Sequence, residues 1–527
     1  MTSSGTNSEA EAEAGAGPGA EPGADSGAAD HDRRSGPGAE PRRPSAESLS
    51  PAWELLLPAA AAPVRGRGRA LRAALRDAVR SGRLAGGTRL PSSRELATDL
   101  GVSRGLVTEA YEQLTAESYL RSGRGAGTWV SEGVRAAERP VRDRAPGAAG
   151  ARVDFRPGTP DLSLFPRSAW AAAQRTVFGR LPHGALGYPD PRGLPELREA
   201  LAGLLARRRG VVADPERLVV CSGVAQATTL LGFVLRDEGV VSVGVEDPGS
   251  PEHSSLFAAT GLGTVPLPLD DEGLALAPLA RSGVRAVVTT PAHQFPTGIG
   301  YSARRRGELL GWARNADAVI MEDDYDGDFR YDRAPVGALQ GLDPERVVYT
   351  GSVSKSLAPG LRLGWLIAPA ALTERIVARK RTMDLGNPVV DQAVLADFIV
   401  RGGYDRQLRR CQRAYRERRD AMVAALGEHF PGTAVSGIAA GLHIIARLPA
   451  RYGPEDVLLE RAAGAGIALR PLRDCGTAGS EDGTLPLVLG YAHLPPGDIA
   501  RGIAALAEAW RTGRTDSGRA VGRARSG

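Results

Sequence analysis

Cysteine is scarce: the chain of 527 residues has three, at positions 221, 411 and 475, with no close pair and no C-x-x-C spacing. That pattern argues against a disulfide framework and a cysteine-based zinc site, and it fits a reducing, cytoplasmic setting. Long apolar runs are missing as well. No segment approaches the ~20 uninterrupted apolar residues of a membrane span, and the N-terminus carries acidic residues without an apolar h-region, so neither spanning nor secretion is expected. A large excess of one charge is also lacking. A formal +5 is small for this length, so a case for nucleic-acid binding has to rest on where the arginines stand. No internal repeat is visible. What is present is a 42% hydrophobic share, enough for at least two cores in a chain too long for one.

Composition divides the chain. Residues 1–48 are almost wholly Ala, Gly, Pro, Glu, Asp, Ser and Arg, a mixture that cannot offset chain entropy by burial and reads as a disordered tail. A compact helical pattern occupies 53–131, an Arg, Ala, Pro and Gly stretch at 132–152 reads as a linker, and 511–527 reads as a flexible basic tail. Across 153–510, apolar runs at 218–221, 240–245, 286–290, 318–321 and 347–349 alternate with helical stretches, the pattern of an α/β domain with a largely parallel sheet.

In the first domain, Leu71, Leu75 and Val79 lie four apart and predict a helix over 69–81. In PSSRELATDLGVSRGLVTEAYEQLTAESYL, Ser92 or Ser93 is placed to cap a second helix, which Gly101 ends; Ser103 caps a third. Leu106, Val107, Ala110, Tyr111 and Leu114 then face inward, leaving Arg104, Gly105 and Thr108 outward at the helix start. In a helix-turn-helix that end meets base edges in the major groove. Tyr119–Arg121 and Gly127–Val130 flank SGRGAG, which predicts a hairpin wing with Arg124 near its tip. Over 65–131 the sequence resembles the GntR-type winged helix. The resemblance implies that Arg94, Ser103, Arg104 and Thr108 contact double-stranded DNA, that Arg124 and Gly125 do so from the wing, and that a dimer reads repeated half-sites.

In the second domain, Lys355 stands in TGSVSKSLAPGLRLGW just after an apolar strand, with Ser352, Ser354 and Arg362 around it. A lysine there suits a Schiff base with a carbonyl cofactor whose phosphate needs hydroxyl and guanidinium partners. Alone, the motif also describes an exposed lysine in a Ser-rich loop. Upstream, the run 318–321 ends in EDDYDGDFRY, which puts carboxylates at the C-terminal edge of a strand, where α/β sheets bind ligands. CSGVAQATTLL joins a strand through glycine to a helix start, so the N–H groups of Val224 and Ala225 can receive a phosphate. These residues, over 153–510, resemble aminotransferases of the aspartate-aminotransferase fold, fold type I. The resemblance implies pyridoxal 5'-phosphate as cofactor, Lys355 as its Schiff-base lysine, Asp323 on the pyridine nitrogen and Tyr325 on the phenolic oxygen. It assigns Ser352, Ser354 and Arg362 to the phosphate, and Tyr188 in GYPDPRGLPELREAL to the phosphate of a neighbouring subunit, hence a homodimer. Both domains together resemble the MocR/GabR-type subfamily of GntR regulators, in which the dimer is head-to-tail.

Several positions depart from the enzymes of this fold. Phe295 stands where they carry the asparagine before Pro-Thr-Gly, with His293 and Gln294 nearby. Ser250 and Glu252 replace a ring-stacking tyrosine and a carboxylate-binding arginine, and Val488 replaces a second such arginine. His253 is either a replacement for the stacking ring or a surface residue, and Arg470 and Arg473 are candidate substitutes for the arginines. The reading is therefore a PLP-dependent transcription regulator that senses PLP or an amine or amino-acid effector. The alternatives are an active aminotransferase with an appended DNA-binding domain, and a DNA-binding protein whose second domain has lost its cofactor.

Overall fold

The computed structural model describes residues 62–123, 127–132, 152–331, 336–437, 439–476 and 483–523, with side chains as far as Thr512. The tail at 1–48, nearly all of the 132–152 linker, and Arg124 and Gly125 at the wing tip lie outside the described residues. Contacts divide the chain into two compact units, Met1–Ala145 and Pro146–Gly527.

Among the described residues, the α-helices of the first unit are Arg67–Arg80, Ser93–Leu100 and Arg104–Ala116. Ser92 caps the second by a full capping box with Glu95, and Gly101 ends it at φ 62°. Ser103 caps the third, its hydroxyl accepting from the Leu106 N–H. Leu71, Leu75, Leu96, Leu100, Val107 and Leu114 meet in one core. The strands Leu120–Gly123 and Gly127–Val130 pair antiparallel, and the second of them also pairs with a two-residue strand, Arg89–Leu90, that no periodicity signals.

The second unit is built on an eight-stranded sheet, in the order Leu218–Cys221, Gly364–Ile367, Val347–Ser352, Val319–Asp323, Ala286–Thr289, Ser242–Asp247, Gly263–Asp270 and Gly273–Leu274. The strands from Val347–Ser352 to Gly263–Asp270 are mutually parallel; Gly364–Ile367 runs against both of its neighbours and Gly273–Leu274 against the strand before it. Strand side chains alternate between faces. Leu218, Val220, Tyr349 and Trp365 pack into one core, and Val219, Cys221, Val348 and Leu366 into another. Both faces are covered, which is why these strands read as unbroken apolar runs. A smaller three-stranded sheet, Ala434–Ser436, His443–Leu448 and Leu485–Gly490, completes the unit. The last helix spans Pro496–Arg523, beyond the point where a flexible tail is expected from Arg511; no proline interrupts its backbone ladder there.

This topology positions the site. The C-terminal ends of the parallel strands share one edge of the sheet, and so do the end of Leu218–Cys221 and the beginning of the antiparallel Gly364–Ile367: Cys221 pairs with Gly364, Gly364 with Ser352, and Thr350 with Asp323. Segments remote in sequence thus leave the sheet side by side.

Candidate cofactor site and DNA-reading surface

Asp323 is the last residue of its strand and is buried. Its Oδ2 lies 3.0 Å from His253 Nε2, while its Oδ1 is buried with no hydrogen-bond partner. An unpaired buried carboxylate oxygen costs free energy unless a donor meets it. A protonated ring nitrogen is a donor that would meet it. His253 is not a surface residue: only 6% of it is exposed, because the helix Pro251–Ala259 turns it inward under the sheet edge. Burial opposes its charge, but the hydrogen bond and charge of Asp323, with Glu246 and Glu252, raise its pKa above the ordinary imidazole value.

Lys355 lies in the turn after Val347–Ser352, and its Nζ donates to the Gly158 carbonyl at 2.5 Å. Burial holds its ammonium below the usual lysine range, against the opposing charges of Asp326, Asp323 and Glu252. A lowered lysine pKa favours the neutral amine that attacks a carbonyl. Tyr325, Asp326, Ser352 and Lys355 line one cavity. The Tyr325 phenol is pushed well above its usual pKa, by burial first and then by Asp326, and so remains a donor.

The phosphate candidates meet where the helix Val224–Asp237 begins. Gly223 precedes it at φ 86°, and the Arg362 guanidinium donates to the Ser222 carbonyl. A Cβ on Gly223 would come within 2.9 Å of Arg362 Nη2. The first-turn N–H groups of Val224 and Ala225 have no carbonyl behind them to bond. Ser352 Oγ accepts from the Ser354 N–H at 3.3 Å. Gly223→Ala therefore combines a left-handed backbone with a clash against Arg362, the candidate phosphate arginine. We expect PLP affinity to fall at least about tenfold, as a loss of 1.4 kcal/mol would give, checked by equilibrium dialysis.

Other candidates fall elsewhere. Tyr188 is 90% exposed and takes no part in its own chain's site. Val488 is fully buried in an apolar cluster with Ile445, Leu472, Cys475 and Phe295, so no cation stands there. Arg473 is committed to Glu455 and Asp456, at 2.7 and 2.5 Å. Arg470 is the strand neighbour of Val488, whose N–H donates to its carbonyl at 2.8 Å, and its charge helps hold Glu252 below the usual carboxylate range, along with the Ser250 hydroxyl, against burial.

Some site residues escape sequence reasoning. Asp326 Oδ2 lies 2.8 Å from His293 Nδ1, and the same nitrogen lies 3.0 Å from the Tyr325 hydroxyl. Gln294 turns away, donating to Glu246 and to the Pro248 carbonyl, so the two residues that stand in for the usual polar group divide the work: one reaches the site and the other pins the loop. A compositional signal was available for the lysine: Lys occupies only positions 355 and 380, and every other one of the 66 Lys and Arg residues is arginine. Lys380 is fully buried and bonded to Asp384 at 2.7 Å.

In the first unit, Arg94, Ser103 and Arg104 are exposed and Thr108 is half-buried, all at or before the first turns of the helices that a helix-turn-helix directs to DNA. Their surface and the cofactor-like site belong to separate units.

Comparison with known proteins decides the family. Residues 68–130 match the bacterial regulatory proteins of the gntR family, and residues 158–482 match aminotransferase class I and II. The probable rhizopine catabolism regulatory protein MocR of Rhizobium meliloti is 35% identical over 465 residues, 83% of this chain and 92% of that one. The chain belongs to the GntR-type transcription regulators that carry an aminotransferase domain. Within this family, the pyridoxine biosynthesis regulator PdxR of Corynebacterium glutamicum is 33% identical over 423 residues, 79% of this chain and 90% of that one. Among solved structures, the Pyrococcus horikoshii kynurenine aminotransferase, in complex with PMP, is similar to the second unit with a TM-score of 0.61 and 28% identity, covering 68% of this chain and 91% of that one. The family is DNA-binding and its second domain has the fold of PLP-dependent enzymes. Among the described residues no helix is long and apolar enough to cross a membrane.

Proposed function

We propose that the second domain of this regulator holds pyridoxal 5'-phosphate at Lys355 and uses it to sense an amine-bearing effector in the cytoplasm. The observation that carries the reading is the unpartnered, buried Asp323 Oδ1 at the same sheet edge as Lys355. When bound, the cofactor supplies an aldehyde that condenses with primary amines and a ring that draws electrons. Asp323 keeps the ring nitrogen protonated, and His253 orients that carboxylate from behind. Tyr325 donates to the phenolic oxygen, with its hydroxyl fixed by His293. Lys355 is the resident amine, and burial keeps it reactive. Arg362, Ser352, Ser354 and the N–H groups of Val224 and Ala225 hold the phosphate, joined by Tyr188 of the partner subunit; the 90% exposure of that ring in one chain supports a dimer.

The effector acts by binding one arrangement of the dimer better than another, which changes how the paired winged helices meet repeated half-sites. Arg94, Ser103, Arg104 and Thr108 contact the duplex, with Arg124 and Gly125 of the wing. Sustained transamination of α-amino acids is disfavoured, because Val488 offers no guanidinium and Ser250 and Glu252 offer a hydroxyl and a carboxylate in place of an aromatic ring and a cation.

The test is operator binding measured with and without the cofactor, in wild type and Asp323→Asn. Loss of one charge-assisted hydrogen bond, about 1.5–3 kcal/mol, weakens PLP binding about 10- to 150-fold and moves the cofactor dependence of DNA binding to correspondingly higher concentration. Operator binding indifferent to the cofactor, or steady keto-acid release from glutamate or alanine, would overturn the reading.

A further inference from the structure

We propose that the outward face of the helix Gly403–His429 is a second DNA-binding site, one that holds the phosphate backbone without reading sequence. Arg406, Arg409, Arg410, Arg413 and Arg416 are all exposed, and with Arg330 they line one open groove. Steps of three and four residues place them along one side of the helix. Leu408, Cys411, Tyr415 and Met422 take the other side into the core, so the row stands on a rigid support.

Four of these arginines are not neutralised by described residues. Asp405 is spent on Arg207 and Arg208, at 2.8 and 3.3 Å, and Asp328 on Arg208, at 2.8 Å. Arg406, Arg409, Arg410 and Arg413 make no ion pair with any described residue. Glu417 ends the row. The amide in the groove, Gln412, already donates to the Asp328 carbonyl at 2.6 Å and is not available to read a base edge.

Size and charge fit a duplex. Arg406 to Arg416 spans about 15 Å of helix axis, a length of duplex that carries on the order of nine phosphate charges. The groove's other polar groups, the Gln412 amide and the Tyr331 hydroxyl, already donate to the Asp328 and Gly441 carbonyls, so the guanidinium groups give position and affinity but no sequence preference. The chain already brings duplex DNA to itself through its first domain, so a second grip acts on a tethered ligand and adds affinity that neither contact has alone.

The experiment uses full-length, cofactor-loaded protein and a mixed-sequence duplex of about 40 base pairs, with affinity measured between about 50 and 200 mM salt. Each lost phosphate contact removes about 0.9 from the slope of log K against log salt. Replacing Arg406, Arg409, Arg410 and Arg413 together by Gln should lower that slope by about 2 to 4, with cofactor absorbance and urea midpoint unchanged. The fourfold Arg→Lys variant should keep the wild-type slope, and the Gln variant should show the same decrement in an Arg104→Ala background. An unchanged slope in the Gln variant overturns the proposal. So does a slope lost equally with Lys, or a loss of binding confined to phosphatidylglycerol vesicles, which would assign the face to a membrane. Because cofactor absorbance is read in the same samples, failure here is distinguishable from failure of the sensing reading.

Discussion

Lys355→Ala is expected to abolish the visible absorbance that the proposed imine with pyridoxal phosphate would give, and with it every spectral response to added amines. The expected effect is total rather than partial, because no other lysine can take over. Lys380 is the one alternative, and it is fully buried beneath the sheet with Asp384 on its Nζ. In a protein with many surface lysines, added aldehyde forms scattered adducts that blur such a test. Here arginine has replaced lysine at nearly every basic position, and arginine forms no stable imine. Reduction with borohydride followed by peptide mapping should label the segment containing Lys355, with the N-terminal amine as the remaining background. The variant loses one hydrogen bond, to the Gly158 carbonyl, so its urea midpoint should stay close to wild type. A persistent visible band in a folded Lys355→Ala protein would remove the cofactor assignment.

The largest loss of stability is expected at Arg209→Met. Arg209 ends the helix Pro195–Arg209 and is 2% exposed; its Nε donates to Asp324 Oδ2 at 2.6 Å and its Nη2 to Oδ1 at 3.0 Å. A further donation to the Val336 carbonyl ties in the loop beyond the strand, and Tyr349 shares the Asp324 carboxylate at 2.6 Å. Burial works against the guanidinium, but the charge of the Asp324 carboxylate holds it protonated above its ordinary value. Removing one member leaves a buried carboxylate with a single hydroxyl, at a cost of about 3–5 kcal/mol. Urea unfolding measures it as a lower midpoint at constant slope. In the double variant Arg209→Met/Asp324→Leu, much of the loss should return, since the uncompensated charge is gone. Equal destabilisation of single and double variants would show that the pair matters only for packing.

The sequence made the frame of both domains legible where chemistry leaves a local mark. Ser92 or Ser93 announces a helix start, Gly101 its end, and the runs 218–221 and 318–321 two strands of a largely parallel sheet. Boundaries suffered where the mark fades. The strand Val347–Ser352 reads from sequence only to Tyr349, because Thr350, Gly351 and Ser352 are paired through backbone rather than marked by apolar side chains. Arg89–Leu90 is two residues long and exists through its partner strand alone. His253 could not be placed, since a helix of nine residues shows too little periodicity to say which side is inward. Asp326 was invisible for another reason: its value lies in His293, which a separate loop delivers to it from a distant part of the chain.

The position of Gly364–Ile367 has a consequence for how the protein is made. Among the described strands, Gly364–Ile367 alone pairs with Leu218–Cys221, which opens the sheet's edge but lies roughly 140 residues earlier in the chain. As the polypeptide leaves the ribosome, that first strand has nothing to pair with until the last of the eight has been synthesised. The helix-turn-helix, closed over a few dozen neighbouring residues, is complete long before. Each new molecule therefore passes through an interval in which the helix-turn-helix unit is finished and the sheet of the aminotransferase-like unit is not.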